Sequence, residues 1–291
     1  MEQRLKASTV ANKRFLIVLK STPFFGTMPL NAIKPTDIRR WQNELASYRD
    51  EKGNPYSATY LKTINNQITA IFNYAVKYYG LKENPCHKAG GMGKKNAEEM
   101  LFWTKDEFLR FIEAVKERPV TNAIFMTLYY TGLREGELLA LTPADIDLEK
   151  QTIRINKSFQ RLKGRNVVTT PKTPKSIRTV TIPKVLCDCL KDYMDQCFEL
   201  QPEDRLFPYG KSFLYREMVR GSKLSGVKQI RVHDLRHSHA AALIEMNVAP
   251  KLLQERLGHE RIQTTLDTYG HLYPNAQAEV ARQLEEFMSK S

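Results

Sequence analysis

The sequence RVHDLRHSHAA, at Arg231–Ala241, gathers arginine and histidine side chains within eleven residues. His233 and Arg236 are three residues apart, so a helix that begins near Asp234 would direct both to one side, where they could hold one anion. His233 and His237 have i,i+4 spacing, but no Glu follows the first His as HExxH chemistry requires, and Arg236 would repel a cation. Taken alone, the segment also fits a purely structural interpretation, with a capping Asp234 and histidines satisfied in a core.

Two further segments contain residues suited to chemistry. The sequence TGLREGEL places Arg134 just past a glycine turn between two apolar helices. A charge there must be paired or kept for a ligand, because burying it alone is costly, and Glu137 is an available partner. Downstream, LGHERIQTTLDTYGHLYP sets His259 at the C-terminal turn of one helix and Tyr269 ten residues later.

The positive charge of the chain predicts a polyanionic partner. Its 291 residues include 45 Lys and Arg against 32 Asp and Glu, for a formal net charge of +13. Residues 1–97 hold 16 basic and 6 acidic residues, and Lys150 to Lys184 contains ten basic residues and no acidic one. Two basic regions favour a protein that grips a nucleic-acid duplex from two sides, since phosphate neutralisation dominates affinity. A solvated face on an ordinary enzyme is the alternative.

Helical periodicity dominates the front of the chain. Apolar residues recur at helical spacing in Thr9–Leu19, Thr36–Leu45 and Ser57–Tyr79. These patterns predict a small helical bundle at residues 1–87, and the basic charge of this part of the chain predicts that it is a DNA-binding domain. The Gly- and Lys-rich sequence at residues 88–99 is predicted to be an interdomain linker.

The remainder, residues 100–291, is predicted to form a second domain with a small sheet in its middle. Thr152–Asn156 and Arg178–Ile182 alternate apolar and polar residues, which predicts antiparallel strands, with a turn at Gly164 to Asn166. Helical patterns continue to an amphipathic tail helix at about 276–288. The expected fold class is mainly α with a small antiparallel β-sheet.

The sequence favours a cytoplasmic location and no membrane association. The longest stretch without a charge is fifteen residues, and a membrane span needs about 20. The N-terminus lacks the apolar core of a signal peptide. Four cysteines without a CxxC pair argue against a disulfide framework or a four-ligand zinc site.

Four motifs in a fixed order resemble those of the tyrosine recombinases, most nearly the integrases of conjugative transposons and temperate phages. They are TGLREGEL, PKTPKSIRTV, HDLRHSHA and LGHERIQTTLDTYGHLYP. Each motif alone is weak, but the ordered set behind a basic helical domain is specific, and the resemblance covers about residues 5–280. The family pattern of Arg, Lys, His-x-x-Arg, His and Tyr falls on Arg134, Lys172, His233, Arg236, His259 and Tyr269.

The resemblance implies roles for these residues and makes residues 100–291 the catalytic domain. Tyr269 would attack a DNA phosphodiester, giving a 3′-phosphotyrosyl link and a free 5′-hydroxyl. Arg134 and Arg236 offer forked donors to the oxygens of the pentacoordinate phosphorane. Lys172 would protonate the departing 5′ oxygen.

His233 and His259 would complete the phosphate cradle and handle the tyrosine proton. Because the phosphate ester is retained in the covalent intermediate, strand exchange should need neither ATP nor a divalent ion. No cofactor and no metal site are therefore expected.

Two of these assignments have competitors in the sequence. Lys175 follows Lys172 by three residues, and the strand register decides which of them reaches the leaving group. Tyr273 also follows the last motif, but the TLDTY context and the spacing from His259 favour Tyr269. His271 is expected to be structural.

The resemblance also implies partners. The expected partner is double-stranded DNA at specific recombination sites. We expect a homotetramer on DNA that assembles through the tail helix, a monomer when free, and an excisionase or host DNA-bending factor. Basic residues expected to contact DNA are Lys62, Lys157, Arg161, Lys163, Lys175 and Arg178. With the first helix expected near Thr9, we expect no arm-binding domain in this sequence, as in a shortened chain or a core-only member of the family.

The function expected from the resemblance is site-specific recombination that integrates and excises a mobile element or prophage, in the bacterial cytoplasm and on the nucleoid. A type IB topoisomerase-like enzyme would use the same residues to relax supercoils. A basic DNA-binding protein with an inactive site is the alternative from another class.

Overall fold

The computed structural model divides the chain into two compact units, Met1–Glu99 and Met100–Ser291. It describes residues 6–94, 100–162, 164–171, 174–273, 281–282, 285 and 287–289. Each unit has its own hydrophobic core. Within the described residues, no helix combines the length and apolarity needed to cross a membrane.

The first unit is helical. Its elements are α1 (Ala7–Leu16), a π-helical continuation (Ile17–Ser21), α2 (Thr22–Phe25), a 3-10 turn (Leu30–Ala32), α3 (Pro35–Ser47), α4 (Ala58–Tyr78) and α5 (Pro85–Ala89). The three helices predicted from periodicity are therefore confirmed.

The long helix α4 shows why this sequence folds as it does. The Ser57 hydroxyl accepts a hydrogen bond from the Tyr60 amide and caps the first turn. Ile64, Ile68 and Phe72 lie on one buried stripe of the helix. This stripe packs with residues of α3 to form the core of the unit.

The predicted linker at 88–99 begins too early. Lys88 and Ala89 belong to α5, and Ala89 is buried in the core of the first unit. The Gln42 side chain donates a hydrogen bond to the Gly90 carbonyl at 2.8 Å, which ties the following residues to α3. Residues 95–99 lie outside the described part of the chain.

The second unit is α+β, which confirms the expected fold class. Its helices are α6 (Lys105–Val115), α7 (Pro119–Thr131), α8 (Glu135–Leu138), α9 (Lys184–Asp195), α10 (Lys211–Ser225), α11 (Asp234–Glu245), α12 (Pro250–Leu257) and α13 (Ile262–Tyr269). Its strands are β1 (Ile146–Asp147), β2 (Thr152–Ile155), β3 (Ser158–Leu162), β4 (Arg165–Thr169) and β5 (Arg178–Thr181). Short 3-10 turns occur at Pro143–Asp145, Pro174–Ser176 and Gly270–Leu272.

The strands form two separate antiparallel sheets, in the order β1-β2-β5 and β3-β4. The predicted pairing of β2 with β5 is confirmed, with Ile153 opposite Val180 and both side chains buried. The turn predicted around Gly164 joins β3 to β4, but these two strands were not predicted. Strand β4 is mostly exposed and mixes polar with apolar residues, so its alternation signal is weak.

The core of the second unit surrounds α7. Because this helix is buried on nearly all sides, its sequence has no polar face. Trp103 connects the start of the unit to α11, because its amide donates to the Ser238 hydroxyl at 2.9 Å. Helix α11 thereby takes a fixed place in the core. The predicted tail helix at 276–288 lies mostly outside the described residues.

Candidate active site

Helix α11 presents the arginine and histidines of the RVHDLRHSHAA segment. Asp234 is buried and accepts hydrogen bonds from the Arg231 amide and guanidinium, which fixes the start of the helix. His233 precedes the helix, and Arg236 and His237 lie in its first turn. The helix start predicted near Asp234 is confirmed, and it brings these side chains into one region.

Arg236 is buried with 3% exposure and joins the ends of two other helices. It donates to the Gly132 carbonyl at 2.7 Å, just after α7, and to the Leu257 carbonyl at 2.6 Å, at the end of α12. Carbonyls at helix C-termini stabilise a cation. Burial and the nearby Arg134 lower the pKa of Arg236 to about 9, so it stays charged at neutral pH and favours a bound anion.

Arg134 precedes α8 and pairs with Glu137 through a 2.7 Å contact between Nη1 and Oε1. Glu137 is buried, and its other oxygen receives a 3.0 Å contact from Arg178. Burial alone would raise the pKa of Glu137, but the two arginines outweigh it and lower that pKa. The Arg134 side chain keeps 38% exposure, so the pairing with Glu137 leaves it accessible to a ligand.

Arg178 occupies a position different from the one expected of a DNA contact. Its side chain is 7% exposed. Its remaining two nitrogens, Nε and Nη1, donate to the carbonyls of Arg256 and Ser176 at 2.8 and 3.1 Å. We therefore interpret Arg178 as the residue that holds Glu137, and through it Arg134, in place.

Tyr269 ends α13 and is 1% exposed. Its phenol oxygen lies 2.8 Å from Nδ1 of His237. Burial raises the pKa of Tyr269 to about 12, and the positive charges of Arg236 and Arg134 act in the opposite direction. The ring packs among residues of two other helices, Ala240 and Ile244 of α11 and Leu253 and Leu257 of α12. The phenol is therefore neutral at neutral pH and lies inside its own chain.

His259 follows Gly258, the left-handed residue that ends α12. Its Nδ1 lies 2.9 Å from the Thr265 hydroxyl, and its ring is nearly parallel to that of Tyr269 at 6.5 Å between centroids. Burial and Arg236 lower the pKa of His259 to about 3. His259 is therefore neutral, and its second nitrogen is directed away from Thr265.

His237 is a candidate functional residue that was not predicted from the sequence. Its spacing suggested only a metal ligand or a core histidine, whereas the structure places it against the Tyr269 phenol. The available signal was its position directly after Arg236, on the helix turn that carries the predicted anion site. Across the described residues, no group of three or more His, Cys, Asp or Glu is arranged to hold a metal ion.

His233 lies at the exposed edge of this region, with its ring 5.5 Å from that of His237. Partial desolvation of its imidazole by the surrounding protein, together with the charge of Arg236, lowers the pKa of His233. Tyr273, the competitor of Tyr269, donates its hydroxyl to the Val248 carbonyl at 3.2 Å. His271 is exposed.

Lys172 and Lys163 lie outside the described residues. Lys175 donates to the Glu260 carbonyl at 3.1 Å, next to His259, and the choice between Lys172 and Lys175 stays a prediction. Among the other basic candidates, Lys157 pairs with the buried Asp145 at 2.7 Å.

Arg161 is exposed in the β3-β4 hairpin and donates to the Gly164 carbonyl. Lys62 is half-buried on α4 of the first unit. For these residues, DNA contact stays a prediction.

Two family models match the chain. The phage integrase family matches residues 102–276, and the N-terminal SAM-like domain of phage integrases matches residues 1–46. The ICEBs1 integrase of Bacillus subtilis (strain 168) is 38% identical over 244 residues, which are 78% of this chain and 66% of that protein. The integrase of Staphylococcus phage L54a is 26% identical, over 84% of this chain and 79% of its own length.

Solved structures share the fold. The Tn1549 transposon integrase in complex with transposon right end DNA has a TM-score of 0.76 at 20% identity, and the match covers 98% of this chain and 95% of that one. A lambda integrase tetramer bound to a Holliday junction has a TM-score of 0.64 at 19% identity, with coverage of 89% and 74%. Because the family model matches residues 102–276, more than half of the chain, the chain belongs to the phage integrase family of tyrosine recombinases.

Proposed function

We propose that this protein is a site-specific DNA recombinase that cleaves and rejoins DNA through a 3′-phosphotyrosyl intermediate on Tyr269. It would thereby integrate and excise a mobile element or prophage. The main support is the position of the Tyr269 phenol, which lies near Arg134 and Arg236 and beside the ring of His259. Membership of the phage integrase family supports it.

The two arginines supply the charge that phosphoryl transfer needs. Negative charge builds on the nonbridging oxygens of the phosphorane, and preorganised cations in a partly dry site stabilise it strongly. Arg236 is fixed by two helix ends, and Arg134 is fixed by Glu137. Both guanidinium groups are therefore held in place by the protein itself, and such preorganisation of cations lowers the barrier.

The neutral histidines fit a role as hydrogen-bond partners of the phosphate. If the Thr265 hydroxyl donates to Nδ1 of His259, the proton of that ring resides on Nε2 and can be donated to a nonbridging oxygen. His233 lies at the exposed edge, where DNA would approach. Lys172 would protonate the 5′ oxygen as it leaves, a step typically worth about 10²- to 10⁴-fold.

The partner proposed for both units is double-stranded DNA at specific recombination sites, in the bacterial cytoplasm. The basic balance of residues 1–97 and the acid-free run from Lys150 to Lys184 support it. We further propose a tetramer on DNA, assembled through the tail at 276–288, with an excisionase or a host DNA-bending factor as accessory. A lambda integrase of the same fold has been solved as a tetramer on a Holliday junction, which supports this assembly.

The first test is covalent trapping. Wild type and Tyr269→Phe are incubated with EDTA and a nicked duplex from the element's end, and the products are run on a denaturing gel. A protein-DNA adduct is expected for wild type and none for Tyr269→Phe, because phenylalanine lacks the nucleophilic oxygen. Tyr273→Phe is the matched control and should form the adduct. An adduct that persists in Tyr269→Phe would assign the nucleophile elsewhere.

A second assay separates the remaining alternatives. Joined products from two different duplexes indicate a recombinase, whereas relaxation of supercoils without joined products indicates a topoisomerase-like enzyme. A protein that binds DNA and forms no adduct would be the inactive DNA-binding alternative.

A further inference from the structure

The phenol of Tyr269 has a hydrogen-bond partner that the family pattern does not include. In the described part of the chain, its oxygen makes one hydrogen bond, at 2.8 Å to Nδ1 of His237. The two rings are 5.6 Å apart and tilted by 61°, so the phenol oxygen approaches the imidazole at its edge. The proton that Tyr269 must lose during attack therefore already faces an imidazole nitrogen.

Asp234 lies on the side of the His237 ring opposite the phenol and biases the position of the ring proton. Nε2 of His237 lies 4.0 Å from Oδ1 of Asp234, and the Asp234 side chain is 1% exposed. A buried carboxylate on this side favours the tautomer with its proton on Nε2. Nδ1 is then the acceptor for the phenol. The order Asp234, His237, Tyr269 is that of a carboxylate that orients a base, which in turn contacts a nucleophile.

The two histidines of the family pattern, His233 and His259, have different contacts from those of His237. Nδ1 of His259 is paired with the Thr265 hydroxyl, and its ring lies alongside that of Tyr269 rather than at its oxygen. His233 lies at the exposed edge, next to His237. These placements leave His233 and His259 available for the phosphate.

Burial, with a smaller contribution from charged neighbours, keeps His237 neutral by lowering its pKa. On its own segment it faces Arg231, His233, Asp234 and Arg236, and across from it are Tyr269 and His259. Burial and His233 lower the pKa of His237 to about 4, so the base starts unprotonated at neutral pH. An incoming phosphate brings negative charge, which favours the imidazolium once the phenol proton has moved.

We propose that His237 accepts the Tyr269 proton during DNA cleavage and returns it during rejoining, an inference that rests on the proposed function. In cleavage, the bond between the phenol oxygen and phosphorus forms, and the bond between phosphorus and the 5′ oxygen breaks. The phenol proton passes to Nδ1 of His237, and the 5′ oxygen takes a proton from a separate acid. In rejoining, the 5′-hydroxyl returns its proton to that acid as it attacks, and the tyrosine oxygen leaves with the proton of His237.

The test measures single-turnover adduct formation by the full chain on a nicked duplex, with DNA binding measured in parallel. His237→Ala should slow adduct formation by about 10²-fold or more while DNA binding is retained. His237→Gln can hydrogen-bond to the phenol but cannot take up its proton, so it should be slow as well. His271→Ala, an exposed histidine two residues after the nucleophile, is the matched control and should react at the wild-type rate.

A substrate with sulfur in place of the 5′ bridging oxygen assigns the proton step. A thiolate leaves without protonation, so this substrate should restore Lys172→Ala but leave His237→Ala slow. Added imidazole should accelerate His237→Ala, because it can enter the cavity left by the side chain and accept the proton. A purely structural histidine would not show this rescue.

Several outcomes overturn the proposal. Adduct formation by His237→Gln at the wild-type rate would show that no proton needs to be accepted there. Rescue of His237→Ala by the sulfur substrate would move His237 to the leaving group. Loss of DNA binding in both His237 variants would make its role structural. Failure of the proposed function is a separate result, because wild type itself would then form no adduct.

Discussion

Single residues in this site act through shared partners. One carboxylate oxygen of Glu137 contacts Arg134, and the other contacts Arg178, the first residue of β5. This buried carboxylate therefore connects a predicted catalytic arginine to strand β5. The sequence pointed to Glu137 as a possible partner of Arg134. It could not show that Arg178, from β5, completes the pair, because the contact joins residues 41 positions apart.

Glu137→Gln tests this arrangement. Glutamine keeps the shape but leaves two arginines without a counter-charge, and breaking a buried ion pair typically costs about 3 kcal/mol or more. We expect the free energy of unfolding to fall by about that amount and adduct formation to slow, because Arg134 loses its anchor. Urea unfolding and single-turnover cleavage measure the two effects.

The control for this substitution is Glu149→Gln, which removes an exposed carboxylate of the same unit and should change neither quantity. Equal stability of Glu137→Gln and wild type would contradict the anchoring role of Glu137.

At the scale of elements, periodicity and capping predicted most of what positions the site. The helix start near Asp234 and the pairing of β2 with β5 follow from local sequence. The β3-β4 hairpin did not, because its strands have weak alternation and its stability comes from pairing across the turn. The contact of His237 with Tyr269 was also beyond reach, since it depends on how α11 packs near α13.

Helix α12 ends at a glycine, Gly258, where the surrounding atoms leave little space for a side chain. Gly258 has φ of 67°, and a Cβ there would lie 2.9 Å from Nη1 of Arg178 and 3.1 Å from the Lys175 carbonyl. Gly226 ends α10 with φ of 69° and has nothing within 4 Å of that position. A side chain at either glycine would therefore strain the left-handed backbone. Only at Gly258 would it also collide with neighbouring atoms.

Gly258→Ala should accordingly destabilise the protein more than Gly226→Ala, which bears only the backbone cost of about 1 kcal/mol. We also expect Gly258→Ala to slow adduct formation, because the added methyl group displaces Arg178 or the turn that carries His259. Thermal unfolding and the cleavage rate of both variants provide the measurement. Equal effects of the two substitutions would show that crowding at Arg178 is unimportant.

For the whole molecule, net charge proves a coarse guide to function. The +13 balance predicted a polyanionic partner, and the family of the chain agrees with a DNA-acting protein. Yet two basic residues of the acid-free run, Lys157 and Arg178, pair with buried carboxylates within the second unit. Some of the charge near the site therefore organises the site itself, a division that composition could not reveal.

A buried histidine next to an arginine makes the stability of the second unit sensitive to acid. His239 is buried, and its Nε2 accepts a 3.0 Å hydrogen bond from Arg256, so protonation would place two cations in contact. Burial and Arg256 lower the pKa of His239 from 6.5 to about 3. Because the unfolded chain binds this proton more readily, stability is complete above pH 6.5 and falls as the pH drops toward 3.

His239→Gln should reduce this dependence on pH. Glutamine can accept the hydrogen bond from Arg256 but does not titrate, so the slope of unfolding free energy between pH 4.5 and 6 should fall by about 1.4 kcal/mol per pH unit. Urea unfolding followed by tryptophan fluorescence measures it, since Trp103 lies in the core of this unit. His271→Gln, at an exposed position, should leave the slope unchanged. Equal slopes for His239→Gln and wild type would mean that His239 is protonated in the folded protein, and that the Arg256 contact does not keep it neutral.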